Sequence, residues 1–173
     1  MANLVAQDLR ENGTYVVIDR QQVEAAWQAQ KFSEKDRIDR MAAVRIGKIL
    51  GADAAVMGEV TRFGSPPRKI GDENWLHRPL LKAFADADVR LVDVDSDLIV
   101  AVASGRAESS RTGYSPLSTG NGVWRGFGDG APDFSNKDFQ ATLLGEAVND
   151  SATQITKSLD ADAARITGKS DPE

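Results

Sequence analysis

At 173 residues, 41% of them hydrophobic and 27% charged, the chain suits one domain with a single core. Its formal net charge of -5 offers no basic field for a phosphate backbone, which argues against nucleic acid as a partner. With no cysteine it can form no disulfide, thiolate metal site or thiol nucleophile, and no apolar run reaches the roughly 18 residues of a spanning helix.

The chain opens on a polar, helix-like stretch, residues 1–10, rather than a signal peptide. Leu4, Val5 and Leu9 read as one face of an amphipathic helix that stops at Asn12 and Gly13 through a left-handed cap. Residues 14–18, Thr-Tyr-Val-Val-Ile, are β-branched and aromatic and predict a buried strand. Asp19 and Arg20 open a second helix. In it Val23, Ala26, Trp27 and Gln30 recur at helical spacing, with Trp27 expected to pack on the sheet.

Residues 36–50 predict a third helix, with Ile38, Met41, Ala42, Ile46, Ile49 and Leu50 on one face and Gly51 as its stop. Residues 54–60 follow as a strand rich in small side chains, suited to a sheet covered by helices. Residues 85–94 alternate Ala87, Val89 and Leu91 with Asp86, Asp88 and Arg90, a strand with one wet face. Asp95, Ser96 and Asp97 turn the chain, and residues 98–107 return as the hairpin partner. Leu143, Leu144, Ala147, Val148, Ile155 and Leu159 then mark a long closing helix.

Two irregular stretches, about 63–84 and 111–139, hold five of the six prolines and read as insertions on this frame. The polar tail 169–173 reads as disordered. The expected architecture is α/β (α+β): one mixed sheet packed by amphipathic helices, a single domain over residues 1–168.

Chemical motifs are few. Gly168, Lys169 and Ser170 resemble the end of a phosphate loop, but its first glycine position holds Ala163 and no strand precedes it. The glycines 126, 128 and 130 do not join a strand to a helix. Asp93, Asp95 and Asp97 have the opening spacing of a calcium loop, yet its sharp-turn glycine position holds Leu98 and its terminal acid position Ser104. A single histidine, His77, precludes a multi-histidine metal site. The acid pairs Asp72/Glu73 and Asp86/Asp88 read as solvated charge. No catalytic, cofactor-binding or metal-binding residue is assigned, and no enzymatic activity or cofactor is expected.

Residues 45–64 read Arg-Ile-Gly-Lys-Ile-Leu-Gly-Ala-Asp-Ala-Ala-Val-Met-Gly-Glu-Val-Thr-Arg-Phe-Gly. This run resembles the most characteristic segment of the CsgG family, the curli production assembly/transport component. There an Ile-Gly-Lys helix end leads through Gly-Ala-Asp into a strand ending Gly-x-Val-Thr-x-Phe-Gly. Residues 15–20, residues 89–94 and residues 139–159 resemble the family's strand entry, hairpin strand and closing helix, in order. Gly47 and Gly51 would allow close helix packing and a sharp exit, and Gly58 would thin the strand where another backbone approaches.

The resemblance implies a CsgG- and TolB-N-terminal-like fold whose first strand would lie upstream of Met1. It also implies an exported lipoprotein of the periplasm and outer membrane, anchored through a residue outside this chain. Its expected partners are copies of itself in a ring and envelope or secreted protein clients, in a curli-like secretion or surface-attachment assembly. The alternative is a soluble periplasmic binding or regulatory lipoprotein that forms no pore. The family's membrane hairpins would fall at the two insertions. Between Ile70 and Leu81, however, Asp72, Asn74 and Arg78 occupy one alternating set, and Glu73 and His77 occupy the other. A lipid-facing set should be apolar, since a basic residue at mid-bilayer costs about 2–4 kcal/mol, so the insertions read as loops.

Overall fold

Two aspartates start the inner helices. Asp19 accepts a hydrogen bond from the Gln21 N–H ahead of α2, Arg20–Ala29, and Asp39 accepts from Met41 and Ala42 ahead of α3, Arg40–Leu50. Each caps backbone donors that a first helical turn leaves free. These elements belong to a computed structural model that describes residues 1–33, 36, 39–65, 80–112 and 137–163.

α1 spans Ala2–Glu11 and ends at Asn12, with Gly13 in the left-handed region at φ 72°. α3 stops at Gly51, φ 67°, where the Ala52 N–H reaches the Gly47 carbonyl and the Gly51 N–H that of Lys48. This double bond pattern closes a helix end where a left-handed residue is needed, and glycine adopts that conformation without steric cost.

The chain then runs into β1, Ala54–Gly64, β2, Leu80–Asp93, and β3, Ile99–Thr112, which pair antiparallel in the order β1-β2-β3. The ladder extends to residues 80–84 against 108–112, past the expected hairpin. At the turn, the Ser96 N–H donates to Asp93 Oδ1 at 2.7 Å and Asp97 takes φ 58°. The Val94 N–H donates to the Asp53 carbonyl at 2.9 Å, tying the turn to the start of β1.

After α4, Lys137–Gln140, Thr142 caps α5, Leu143–Asp162, by accepting from the Gly145 N–H. α5 lies across β2 and β3, and α1 packs beside it. Directly paired residues of antiparallel strands share a face. Ala87, Val89 and Leu91 thus join Ala101 and Ala103 beneath Ala152, Ile155 and Leu159 of α5 and Val5 and Leu9 of α1. Ala83, Ala85 and Ala107 form the continuation under Phe139, Leu144 and Val148. The fold is α+β, and pairing among the described strands is antiparallel throughout.

Three expectations are corrected. Residues 14–18 form no ladder: Thr14 lies in a bend and 15–18 have no regular structure. A strand exists only where a neighbour accepts its hydrogen bonds, and none of the described strands lies alongside. Trp27 packs not on the sheet but in a separate cluster with Ala42 and Ile46 of α3 and with Phe32, whose ring centre is 5.0 Å away. On α3 the buried residues are Ala42, Val44, Ile46 and Gly47, while Met41 and Ile49 are exposed. The helix packs on α2 and on the β1–β2 end of the sheet, where a Cβ on Gly47 would stand 2.6 Å from Val94 Cγ2. That narrow seat covers a thinner stripe than the periodicity suggested.

Candidate functional site

The sheet face turned away from α5 carries charge. Arg62 Nε donates to Asp86 Oδ2 at 2.8 Å, and its guanidinium stands 4.4 Å from the centre of the Phe84 ring. Ser104 Oγ donates to Asp88 at 2.6 Å, Arg106 lies 3.5 Å from the same carboxylate, and Lys82 reaches Glu108 at 2.5 Å. The result is a row of cross-strand ion pairs running over β1, β2 and β3. Asp86 is buried and accepts this bond from Arg62.

This row places Asp86 and Asp88. Each carboxylate is engaged by an arginine, so neither is poised as an acid and base pair facing a common cleft. Asp93, Asp95 and Asp97 form the hairpin turn, with Asp93 bonded to Ser96; the Asp97 carbonyl accepts from Arg40, whose guanidinium also stands 3.4 Å from the Asp97 carboxylate. No group of three His, Cys, Asp or Glu side chains among the described residues could hold a metal. His77, Asp72, Glu73, the glycines 126, 128 and 130, and residues 168–170 lie outside the described residues. Among those residues no helix is long and apolar enough to cross a membrane.

What the sheet does present is two unlike edges. On β3, the Arg106 N–H donates to Gln154 Oε1 at 3.0 Å, and Gln154 Nε2 donates to the Arg106 carbonyl at 3.1 Å. A side-chain amide from α5 thereby occupies backbone groups that a further strand would need. β1 differs. Val56 pairs with Leu91 and Val60 with Ala87, so both face the α5 side, yet they are 49% and 52% exposed. α5 covers β2 and β3, and β1 lies beyond its reach. Phe63, near the end of the strand, is also exposed.

Residues 14–18, outside any ladder, border the same core as Ala54 at the start of β1. Tyr15 and Val17 pack against the α1–α5 core, and the Tyr15 hydroxyl donates to the Leu159 carbonyl at 2.7 Å. Burial, and then the charges of Asp160 and Asp162, push the Tyr15 phenol above its ordinary pKa. Val16 between them is fully exposed.

Sequence reasoning placed Val16, Val56 and Val60 in covered strands and so missed this surface. Alternation assigns a residue to a face but says nothing of whether that face, at that strand, has a cover.

A family model for the curli production assembly/transport component CsgG matches residues 1–169 of the chain. No curated protein matches it. Among solved structures, a lipoprotein from Neisseria meningitidis is 19% identical, with 62% of this chain and 68% of that one aligned at a TM-score of 0.48. A hypothetical protein from Chlamydia trachomatis is 15% identical over 94% of this chain and 84% of that one, TM-score 0.48. A putative lipoprotein from Caulobacter crescentus is 11% identical over 89% and 83%, TM-score 0.35.

Proposed function

The chain belongs to the CsgG family, and from that premise we propose that it is a non-enzymatic protein of the bacterial cell envelope. It acts in the periplasm at the outer membrane, within a curli-like secretion or surface-attachment assembly, by associating with copies of itself and with an envelope or secreted protein. The family match over residues 1–169 carries this reading. The exposed Val56, Val60 and Phe63 of β1 support it, since uncovered apolar side chains suit protein contacts. The arginine-paired carboxylates of the open face support a role without catalysis.

Electron microscopy of the protein in detergent and in buffer tests the assembly. Ring particles are the expected outcome. A stable monomer under both conditions overturns it.

A second reading is a soluble periplasmic binding or regulatory lipoprotein on the same frame. The charged residues on both alternating sets of the first insertion favour it, because they suit a solvated loop better than a lipid-facing strand. Pull-down of an envelope protein without insertion into liposomes is its expected signature. Spontaneous liposome insertion returns the choice to the first reading.

A further inference from the structure

β3 meets α5 along a groove of about 400 Å³, lined by residues 106–108 of the strand and by Asp150, Gln154 and Lys157 of the helix. Spacings of four and three put these helix residues on one face. Gly105 lies against the Ser151 carbonyl, and that close approach fixes the floor of the groove.

Within it, the Gln154 amide accepts from the Arg106 N–H at 3.0 Å and donates to the Arg106 carbonyl at 3.1 Å. Two bonds exchanged with one residue are the pattern of a hydrogen-bonded pair between antiparallel strands. A side-chain amide is chemically a peptide group, so the fold already holds at this edge the group that an added strand would bring. Gln154 is exposed and water competes for its bonds, so an incoming peptide displaces it at small cost.

Charge then sets direction. Glu146 meets Arg111 and Gln154 meets Arg106, so α5 runs antiparallel to β3. A strand added antiparallel to β3 runs parallel to α5, from Asp150 towards Lys157. Both side chains are exposed, and neither has an ion-pair partner among the described residues. They stand about 10 Å apart along the helix axis. Gly105 and Ala107 face α5 and Arg106 does not. The residue paired with Arg106 therefore turns its side chain away from α5, and its two neighbours turn theirs towards it. Those neighbours are about 7 Å apart, and long charged side chains span the difference.

We propose that this groove binds an extended segment of another protein, antiparallel to β3, in which a basic residue is followed two positions later by an acidic one. The basic side chain meets Asp150 and the acidic one Lys157. The residue between them replaces the Gln154 amide on Arg106. The inference rests on the protein contacts of the proposed function and gives one of them a surface and a charge order.

Fluorescence polarisation with the labelled heptapeptide Thr-Val-Lys-Val-Glu-Val-Thr tests it on the chain as it stands. The expected result is saturable binding, about fivefold or more tighter than that of the order-reversed Thr-Val-Glu-Val-Lys-Val-Thr. Proline at the centre of the first peptide removes the N–H that replaces the amide and is expected to abolish binding. The double variant Asp150→Lys/Lys157→Glu changes exposed positions only, and with an unchanged melting temperature it is expected to invert the preference.

No binding of either peptide up to about 1 mM, or equal binding of both, overturns the inference. Binding that falls as the protein concentration rises assigns the groove to a second copy and overturns it as well. A chain that forms rings by electron microscopy yet binds neither peptide loses the groove and keeps the functional reading. A chain that shows the preference but stays monomeric sustains the groove and removes the assembly.

Discussion

Gly105 of β3 lies directly against the Ser151 carbonyl of α5. A Cβ built on Gly105 would overlap that oxygen and stand 2.5 Å from Ser151 Oγ. Helix backbone rests here on strand backbone, which seats the fully buried Ala152 and Ile155 on the sheet. Gly105→Ala is expected to push α5 off β3 and destabilise the fold by about 1–3 kcal/mol. For a chain of this length that corresponds to a fall in melting temperature of about 2–4 °C per kcal/mol, readable by calorimetry.

Ile155 is fully buried among Ala87, Ala101 and Leu159. Ile155→Ala leaves a cavity between α5 and the sheet that small neighbours cannot fill. A loss of about 2–5 kcal/mol is expected from urea unfolding, with the m-value unchanged.

The Arg62–Asp86 pair joins an arginine side chain 51% exposed to a carboxylate 11% exposed. Solvent around Arg62 screens the attraction, so a double-mutant cycle with Arg62→Ala and Asp86→Ala is expected to give a coupling of about 1 kcal/mol. Arg62→Ala alone should cost more than that coupling. It strips Asp86 of its partner and also removes the packing over Phe84. Equal effects in the cycle and the single variant would show that Asp86 finds water when Arg62 is lost.

Tyr15 supplies a pH dependence. Burial first, then Asp160 and Asp162, raise its phenol pKa above the ordinary value, so the folded chain holds this proton more tightly than the unfolded chain does. Stability from this group is therefore fully present below about pH 10 and declines as pH rises through the folded pKa. Tyr15→Phe is expected to flatten that alkaline decline while costing about 1 kcal/mol at neutral pH, through the lost bond to the Leu159 carbonyl. Urea unfolding of both proteins between pH 8 and 11 measures the difference.

Much of the frame was legible locally. The stop at Gly51 follows from a conformation glycine adopts without steric cost, and the long α5 from apolar residues recurring on one helical face. The hairpin of β2 and β3 was legible because Ala87, Val89 and Leu91 alternate strictly with Asp86, Asp88 and Arg90, and an aspartate-rich turn separates the strands. The extension of that hairpin through residues 80–84 and 108–112 was hidden, since Lys82, Glu108 and Ser110 weaken the apolar signal while making cross-strand contacts.

The candidate surface was hidden for a different reason. Val56 and Val60 carry the pattern of covered strand residues, and residues 14–18 the composition of a buried strand. The exposure of Val56 and Val60 depends on where α5 comes to rest, over β2 and β3.

By itself, the sequence determined caps, turns, the faces of the helices and the alternation of β2, because each arises among residues a few positions apart. It also carried the family, through the run from Arg45 to Gly64. Only the tertiary structure decided that α5 covers two of the three described strands, that Gln154 bonds the edge of β3, and that Val16, Val56 and Val60 are exposed. Those facts depend on contacts between residues far apart in the chain, such as Arg106 with Gln154 and Tyr15 with Leu159, which no local pattern encodes.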